Sequence, residues 1–291
     1  MSINNLFSPV NIRGVDFPNR IVVPPMCQYS AHEGYVDDWH LVNLGRFAMG
    51  GAGLIITEAT AVQKKGRITH GCPGIWKDEQ IIGHSRIAQF ISRNGAIPGI
   101  QLGHAGRKAS MQRPWYGNGP LNEDDFERGD MPWNIVAPSA CSVGEGWQIP
   151  EEMSEEQICE LIDDFIAAAR RAISAGYKVI ELHGAHGYLI HSFLSPVSNK
   201  RTDKYGGDLH GRMKLAIDIS SALRRSISDE MPLFFRVSST DNLENGWSIE
   251  DSVELAKELK KVGVDVIDCS SGGISGSATA ARGKRLSLIH I

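Results

Sequence analysis

The sequence predicts an α/β fold of the (β/α)8-barrel type, a TIM barrel, carried by about six βα units behind an N-terminal hairpin. Three observations support it. Six short apolar runs recur along the chain, apolar on both faces as in buried parallel strands. Helical patterns with capping and stop signals lie between them. The turn after the first run is PPMCQYS, without the glycine-rich phosphate signature expected of the main competitor, a doubly wound nucleotide-binding sheet.

The elements follow in order. VNIRGVDFPNR reads as a hairpin around Gly14 that could plug the bottom of a barrel. The runs are RIVVPPM (20–26), GLIITEAT (53–60), IPGIQLGHA (97–105), KVIELHGA (178–185), PLFFRVSST (232–240) and VDVIDCSSG (264–272). DEQIIGHSRIAQFISRNG opens on acidic residues and stops at Gly95. SEEQICELIDDFIAAARRAISAG has Ser154 at its N-cap, Gln157 three residues on, and Gly176 as its stop. SIEDSVELAKELKKVG has Ser248 at the cap, Asp251 in the first turn and Gly263 at the end. Alternation of this kind implies parallel βαβ units.

Residues 106–153 have no helical period and are rich in Pro, Gly and Trp. A loop of that length inside a compact domain is usually functional. It follows the third run, so in a barrel it would lie over the C-terminal mouth, where active sites of this fold are built. The whole of 1–291 thus reads as a single domain.

Composition excludes several classes. The 291 residues are 42% hydrophobic with a net charge of −4, enough apolar content for a substantial core and too little basic charge for a nucleic-acid surface. No apolar run approaches the roughly 20 residues of a membrane span. Five scattered cysteines without a CxxC argue against a disulfide framework and for the reducing cytoplasm.

In a barrel, the residues ending each strand face one mouth. They are Pro25, Met26 and Cys27; Glu58, Ala59 and Thr60; Gln101 and His104; His183, His186 and Tyr188; Arg236; and Cys269, Ser270 and Ser271. The set is rich in hydrogen-bond donors. It lacks the paired carboxylates of a glycosidase and the GxSxG elbow of a hydrolase. His183 and His186 are three residues apart, so they converge only if the chain turns between them. Metal binding, a structural role and substrate anchoring are all open to such a pair, although no HxH or HExxH spacing supports a metal. Arg107 and Lys108 could meet a phosphate or be solvated, and Asn199 and Arg201 read as loop-shaping residues.

NRIVVPPMCQYS, GLIITEATAV with GRIT, GIQLGHAGRKA, IELHGAHGYLIHSFLSPVSNKRTDKYGG, FFRVSSTD and DVIDCSSGG resemble, in order, the Old Yellow Enzyme family in its xenobiotic reductase-like branch. The resemblance runs to about residue 283. It implies an FMN-dependent barrel that uses NAD(P)H to reduce C=C bonds activated by a carbonyl or nitro group. On this resemblance His183 and His186 bind the substrate oxygen, akin to an oxyanion hole. Tyr188 is similar to the family's proton donor, and a phenol keeps its proton at neutral pH. Arg236 would meet the flavin N1/O2 edge and Gln101 its pyrimidine edge. Pro25, Met26, Cys27 and Ala59 would line the ring, with Cys27 tuning its potential, and Tyr29 would face substrate. No metal is implied.

After TAARGK the resemblance stops, while the family continues with two more βα units whose loops hold the phosphate. RGKRLSLIHI is too short for them. The expectation is a C-terminally truncated piece of a longer ene-reductase, homo-oligomeric or not, that folds poorly and binds flavin weakly alone. The competing readings are a non-catalytic remnant and a metal-dependent TIM-barrel hydrolase.

Overall fold

The computed structural model describes residues 5–275. The TAARGK and RGKRLSLIHI stretches, on which the truncation expectation rests, lie outside the described residues.

The expected hairpin is present as β1 (Val10–Ile12) and β2 (Val15–Phe17), antiparallel with Ile12 opposite Val15. Its apolar side chains pack with Leu54, Ile56, Val179 and Phe234, which begin or lie low on the strands. It therefore closes the N-terminal end of the sheet's inner face. Arg13 Nε donates to Asp265 Oδ1 at 2.6 Å and ties the turn to the far edge of the sheet.

All six apolar runs become strands of one parallel sheet: β3 (Val22–Val23), β4 (Leu54–Ala61), β5 (Ile97–Gly103), β8 (Val179–Gly184), β9 (Leu233–Ser238) and β10 (Val266–Ser270). Each pairs with its neighbours in chain order. A doubly wound sheet reverses its order at a switch point, and none occurs here, so the strands form the wall of a barrel. Among the described residues that wall is open, with β3 and β10 as its edges. β3 is shorter than its run because Pro24 and Pro25 have no N–H for the ladder.

Helices α2 (Ile81–Arg93), α4 (Glu155–Ala175) and α7 (Ile249–Lys261) match the sequence reading. Ser154 and Ser248 close capping boxes with Gln157 and Asp251, and Gly176 ends α4 in the left-handed conformation. Two long helices lacked an obvious signal, α1 (Asp38–Met49) and α6 (Leu209–Ser226), capped by Asp37 and Asp208. Ile158, Leu161, Phe165 and Ala169 of α4 pack on Ile180 and Leu182 of β8 to form the layer outside the sheet. Alternation along β8 then turns Val179, Glu181 and His183 to the inside.

Segment 106–153 is largely irregular, as expected. It contains the one-turn helix α3 (Glu123–Glu127) and a short ladder of β6 (Val136–Ala137) with β7 (Glu151–Glu152). Ala109, Met111, Trp133 and Ile135 from it pack with Cys27, Tyr29, Ala59 and Tyr188. The segment therefore covers the C-terminal ends of the strands.

Candidate active site

The turn after β8 explains the three-residue histidine spacing. His186 and Gly187 both adopt left-handed backbone, at φ 60° and 77°. A Cβ at Gly187 would sit 2.1 Å from the Gly273 carbonyl oxygen, so only glycine fits. This reversal sets the His186 ring 5.2 Å from the His183 ring and the Tyr188 ring 4.9 Å from it, edge to face. Behind the turn runs the one-and-a-half-turn helix α5 (Leu189–Leu194), from which His191 accepts the Gly187 N–H at 2.8 Å. His191 in turn meets Asp241 at 2.9 Å, and Ser195 donates to the same carboxylate at 2.6 Å. His183, His191, Ser195 and Asp241 are buried, and His186 and Tyr188 half-buried.

Protonation states follow from burial. The Ala185 N–H donates to His183 Nδ1 at 3.3 Å, which leaves the ring proton on Nε2. Desolvation holds His183 well below its ordinary pKa and brings His186 to about 3. Both rings are therefore neutral donors at pH 7. His186 Nε2 shares a 2.6 Å hydrogen bond with Ser270 Oγ, and its backbone N–H donates to Ser238 Oγ at 2.9 Å. Burial, with smaller contributions from Cys27 and Tyr29, raises the Tyr188 phenol well above its usual value, so it keeps its proton.

One layer deeper, register places Gln101 beside Glu181, and Arg236 between His183 and Asp268. Gln101 Nε2 donates to Glu181 Oε1 at 2.8 Å, and Arg236 Nη1 to Asp268 Oδ2 at 2.7 Å. Arg236 and Asp268 thus form a salt bridge inside the wall. Arg236 Nε is nonetheless buried with no acceptor among the described residues. An unsatisfied guanidinium donor beside a primary amide, below two imidazoles, suits the electron-rich edge of a flavin. The residues present therefore fit FMN, which Arg236 and Gln101 would hold.

Cys27, Tyr29 and Ala59 share one cluster with Tyr188. Burial first, and then Glu58, push the Cys27 thiol up. Tyr29 stands at φ 54° and meets Trp115 edge to face at 6.0 Å. Pro25 and Met26 precede them at the rim, partly and largely exposed.

One mouth assignment, Glu58, needs correction, whereas His104 lines a pocket with Ala59, His183 and Tyr188. The ladder between β4 and β5 is irregular from Thr57 to Thr60, and Glu58 lies with His40, Thr57, His84 and Tyr177. There its Oε2 accepts the Gln28 N–H at 2.8 Å, so it supports the cysteine loop from behind. His104 is buried against Gly66. Arg107 and Lys108 are neither solvated nor free for a phosphate. Arg107 is buried and Lys108 half-buried, donating to the carbonyls of Ser142 and Ile274, and of His186 and Gly273. Asn199 and Arg201 do shape their loop, through the Phe193, Tyr205, Pro138 and Met153 carbonyls. Sequence reading missed Glu181, Asp268, His191 and Asp241. Only Glu181 carried a signal, two positions before His183 on the same strand face.

A parallel barrel wall that brings neutral imidazoles and a phenol above a guanidinium–amide floor defines a flavin oxidoreductase. Residues 5–285 match the NADH:flavin oxidoreductase / NADH oxidase family, and the chain belongs to that family, whose members use FMN with NAD(P)H. It is 47% identical over 280 residues to an NADH:flavin oxidoreductase of Gibberella zeae, spanning 92% of this chain and 67% of the relative. To an NADPH dehydrogenase of Bacillus subtilis it is 43% identical over 271 residues, spanning 92% and 74%. Among solved structures, 2-naphthoyl-CoA reductase superposes with TM-score 0.83 at 29% identity, over 94% of this chain but 41% of that one. Morphinone reductase superposes with TM-score 0.78 at 25% identity, over 92% and 72%. Among the described residues, no helix is long and apolar enough to cross a membrane.

Proposed function

We propose that the chain carries the site of an ene-reductase that reduces C=C bonds conjugated to a carbonyl or nitro group. The convergence of His183, His186 and Tyr188 at the strand ends carries this reading. The two neutral imidazoles donate N–H groups to the substrate oxygen and draw electron density from the β-carbon. The chemistry that FMN supplies, when bound, is hydride transfer from NAD(P)H to that carbon. Arg236 and Gln101 hold the cofactor's pyrimidine edge, and Pro25, Met26, Cys27 and Ala59 lie along its ring. Tyr188 gives its proton to the α-carbon, Tyr29 faces the substrate, and segment 106–153 excludes water from above. Five free cysteines suit a cytoplasmic home.

The test is enone reduction by NADPH with Tyr188→Phe. Turnover falls about a hundredfold, in the usual range for a lost general acid, while reduction of the flavin by NADPH is retained. Equal loss of both half-reactions would overturn the assignment of Tyr188. Nothing favours the metal-hydrolase reading: among the described residues no group of three or more His, Cys, Asp or Glu side chains is arranged to hold a metal ion.

A further inference from the structure

The inner layer beneath the histidines contains two carboxyl groups with no part in that reaction. Glu181 on β8 is fully buried, and Asp268 on β10 is partly so. β8 and β10 are alternate strands on either side of β9, and the inward side chains of alternate strands share a layer, which brings the two carboxyls within reach of one another. Ionised carboxylates only accept hydrogen bonds, so this contact requires a proton between them. Its location follows from the other partners. Asp268 carries the Arg236 guanidinium at 2.7 Å, which favours its ionised form. Glu181 Oε1 accepts from Gln101, whereas Oε2 has no N–H or hydroxyl donor among the described residues. Oε2 is therefore the atom that bears the proton.

We propose that Glu181 and Asp268 share one proton at neutral pH, and that the pair positions Gln101 and Arg236 for the flavin. The second half rests on the reading that these two residues hold FMN. With Nε2 of Gln101 committed to Glu181, its amide oxygen is the end left to accept from a ring N–H. With Nη1 of Arg236 committed to Asp268, its Nε–H is the donor left for an anionic edge. The pair acts through Gln101 and Arg236, so both carboxyls are positioning residues. The groups facing the pair are Arg236 from β9, His183 from β8, neutral by burial, and Gln101 from β5. The packing from β4, through Leu54 and Ile56, and from the hairpin, through Phe17, Val10, Ile12 and Val15, is apolar. Burial, then the Asp268 charge, raise the Glu181 pKa, in agreement with the geometry.

Infrared spectroscopy of the full chain tests the proton without any flavin. Glu58 also keeps its proton at pH 7 and contributes a band of its own, so the spectra are taken in a Glu58→Gln background. There the chain shows a protonated-carboxyl C=O band at pH 7 that moves down in D2O, and Glu181→Gln abolishes it. Asp268→Asn removes the charge that helps retain the proton, and the band's loss on titration moves down by about one pH unit or more. A band that survives Glu181→Gln, or a midpoint that Asp268→Asn leaves in place, would overturn the shared proton.

Quenching of FMN fluorescence tests the positioning. Glu181→Gln copies the protonated form, accepting from Gln101 and donating to Asp268, and keeps FMN affinity within about threefold. Glu181→Leu cannot accept from Gln101 and loses about tenfold, the scale of one hydrogen bond. Equal affinity of Glu181→Leu and wild type would refute the positioning role. Wild type that fails to quench FMN while the band behaves as stated would sink the FMN reading and the positioning together, and leave the shared proton standing.

Discussion

Glu58 offers the sharpest quantitative test of how burial governs this protein's charges. Its carboxyl is 4% exposed and sits behind the loop of Cys27 and Tyr29. Burial raises its pKa to about 8, while the Gln28 and Tyr29 amides pull the other way and lose. An ordinary carboxyl titrates near 4.5. Between these values the folded chain holds a proton that the unfolded chain has released. Stability contributed by the neutral carboxyl is therefore complete below about pH 4.5 and is lost as pH rises toward 8. The slope reaches about 1.4 kcal/mol per pH unit, and the full span amounts to about 5 kcal/mol. Glu58→Gln keeps an acceptor for the Gln28 N–H and does not titrate. The buried imidazole of His40, 3.5 Å from Glu58, has its pKa lowered mainly by desolvation, and that contribution cancels between variants to first order. Urea unfolding followed by tryptophan fluorescence, from about pH 5 to about pH 8, gives the difference directly. Wild type loses ground to Glu58→Gln as pH rises. A difference flat across that range would mean that the carboxylate is ionised in the fold, and the desolvation argument would be wrong.

Other outcomes follow from the same geometry. Asp241→Ala leaves His191 and Ser195 without their buried partner, and denaturant titration should show a loss of about 3–5 kcal/mol. Ser270→Ala removes the 2.6 Å partner of His186, and the enone KM should rise with little change in the rate of flavin reduction. In peptide-resolved alkylation at neutral pH, exposed Cys159 reacts first. Buried Cys72, its thiol raised to about 11 mainly by burial, reacts only on unfolding. Leu182→Ala opens a cavity in the layer between β8 and its helices and should cost about 2–5 kcal/mol in the same denaturant assay.

Much of this was legible before any coordinates. Short runs apolar on both faces, alternating with capped helices, point to parallel strands, and all six formed. Ser154, Ser248 and Gly176 marked helix ends because capping is local chemistry. α1 escaped because its box uses Asp37 with His40, a pairing outside the usual Ser/Thr-x-x-Glu pattern. Glu58 was misassigned because strand alternation fails at a ladder irregularity that leaves no mark in composition. The supporting pairs His191–Asp241 and Glu181–Asp268 were hidden for a different reason. Their members are 50 and 87 positions apart, and only the tertiary fold brings them together.

Arg107 and Lys108 give the fold a temporal order as well as a shape. Their acceptors at Ile274 and Gly273 lie 167 and 165 residues downstream. During synthesis both cations are made long before those carbonyls exist, and neither can enter a dry interior unpartnered without a large penalty. Segment 106–153 must therefore wait, hydrated and unseated, until β10 has docked. Contacts of such sequence separation form late. The cover over the strand ends is thus set by the last described strand, and it seats only after that strand is in place.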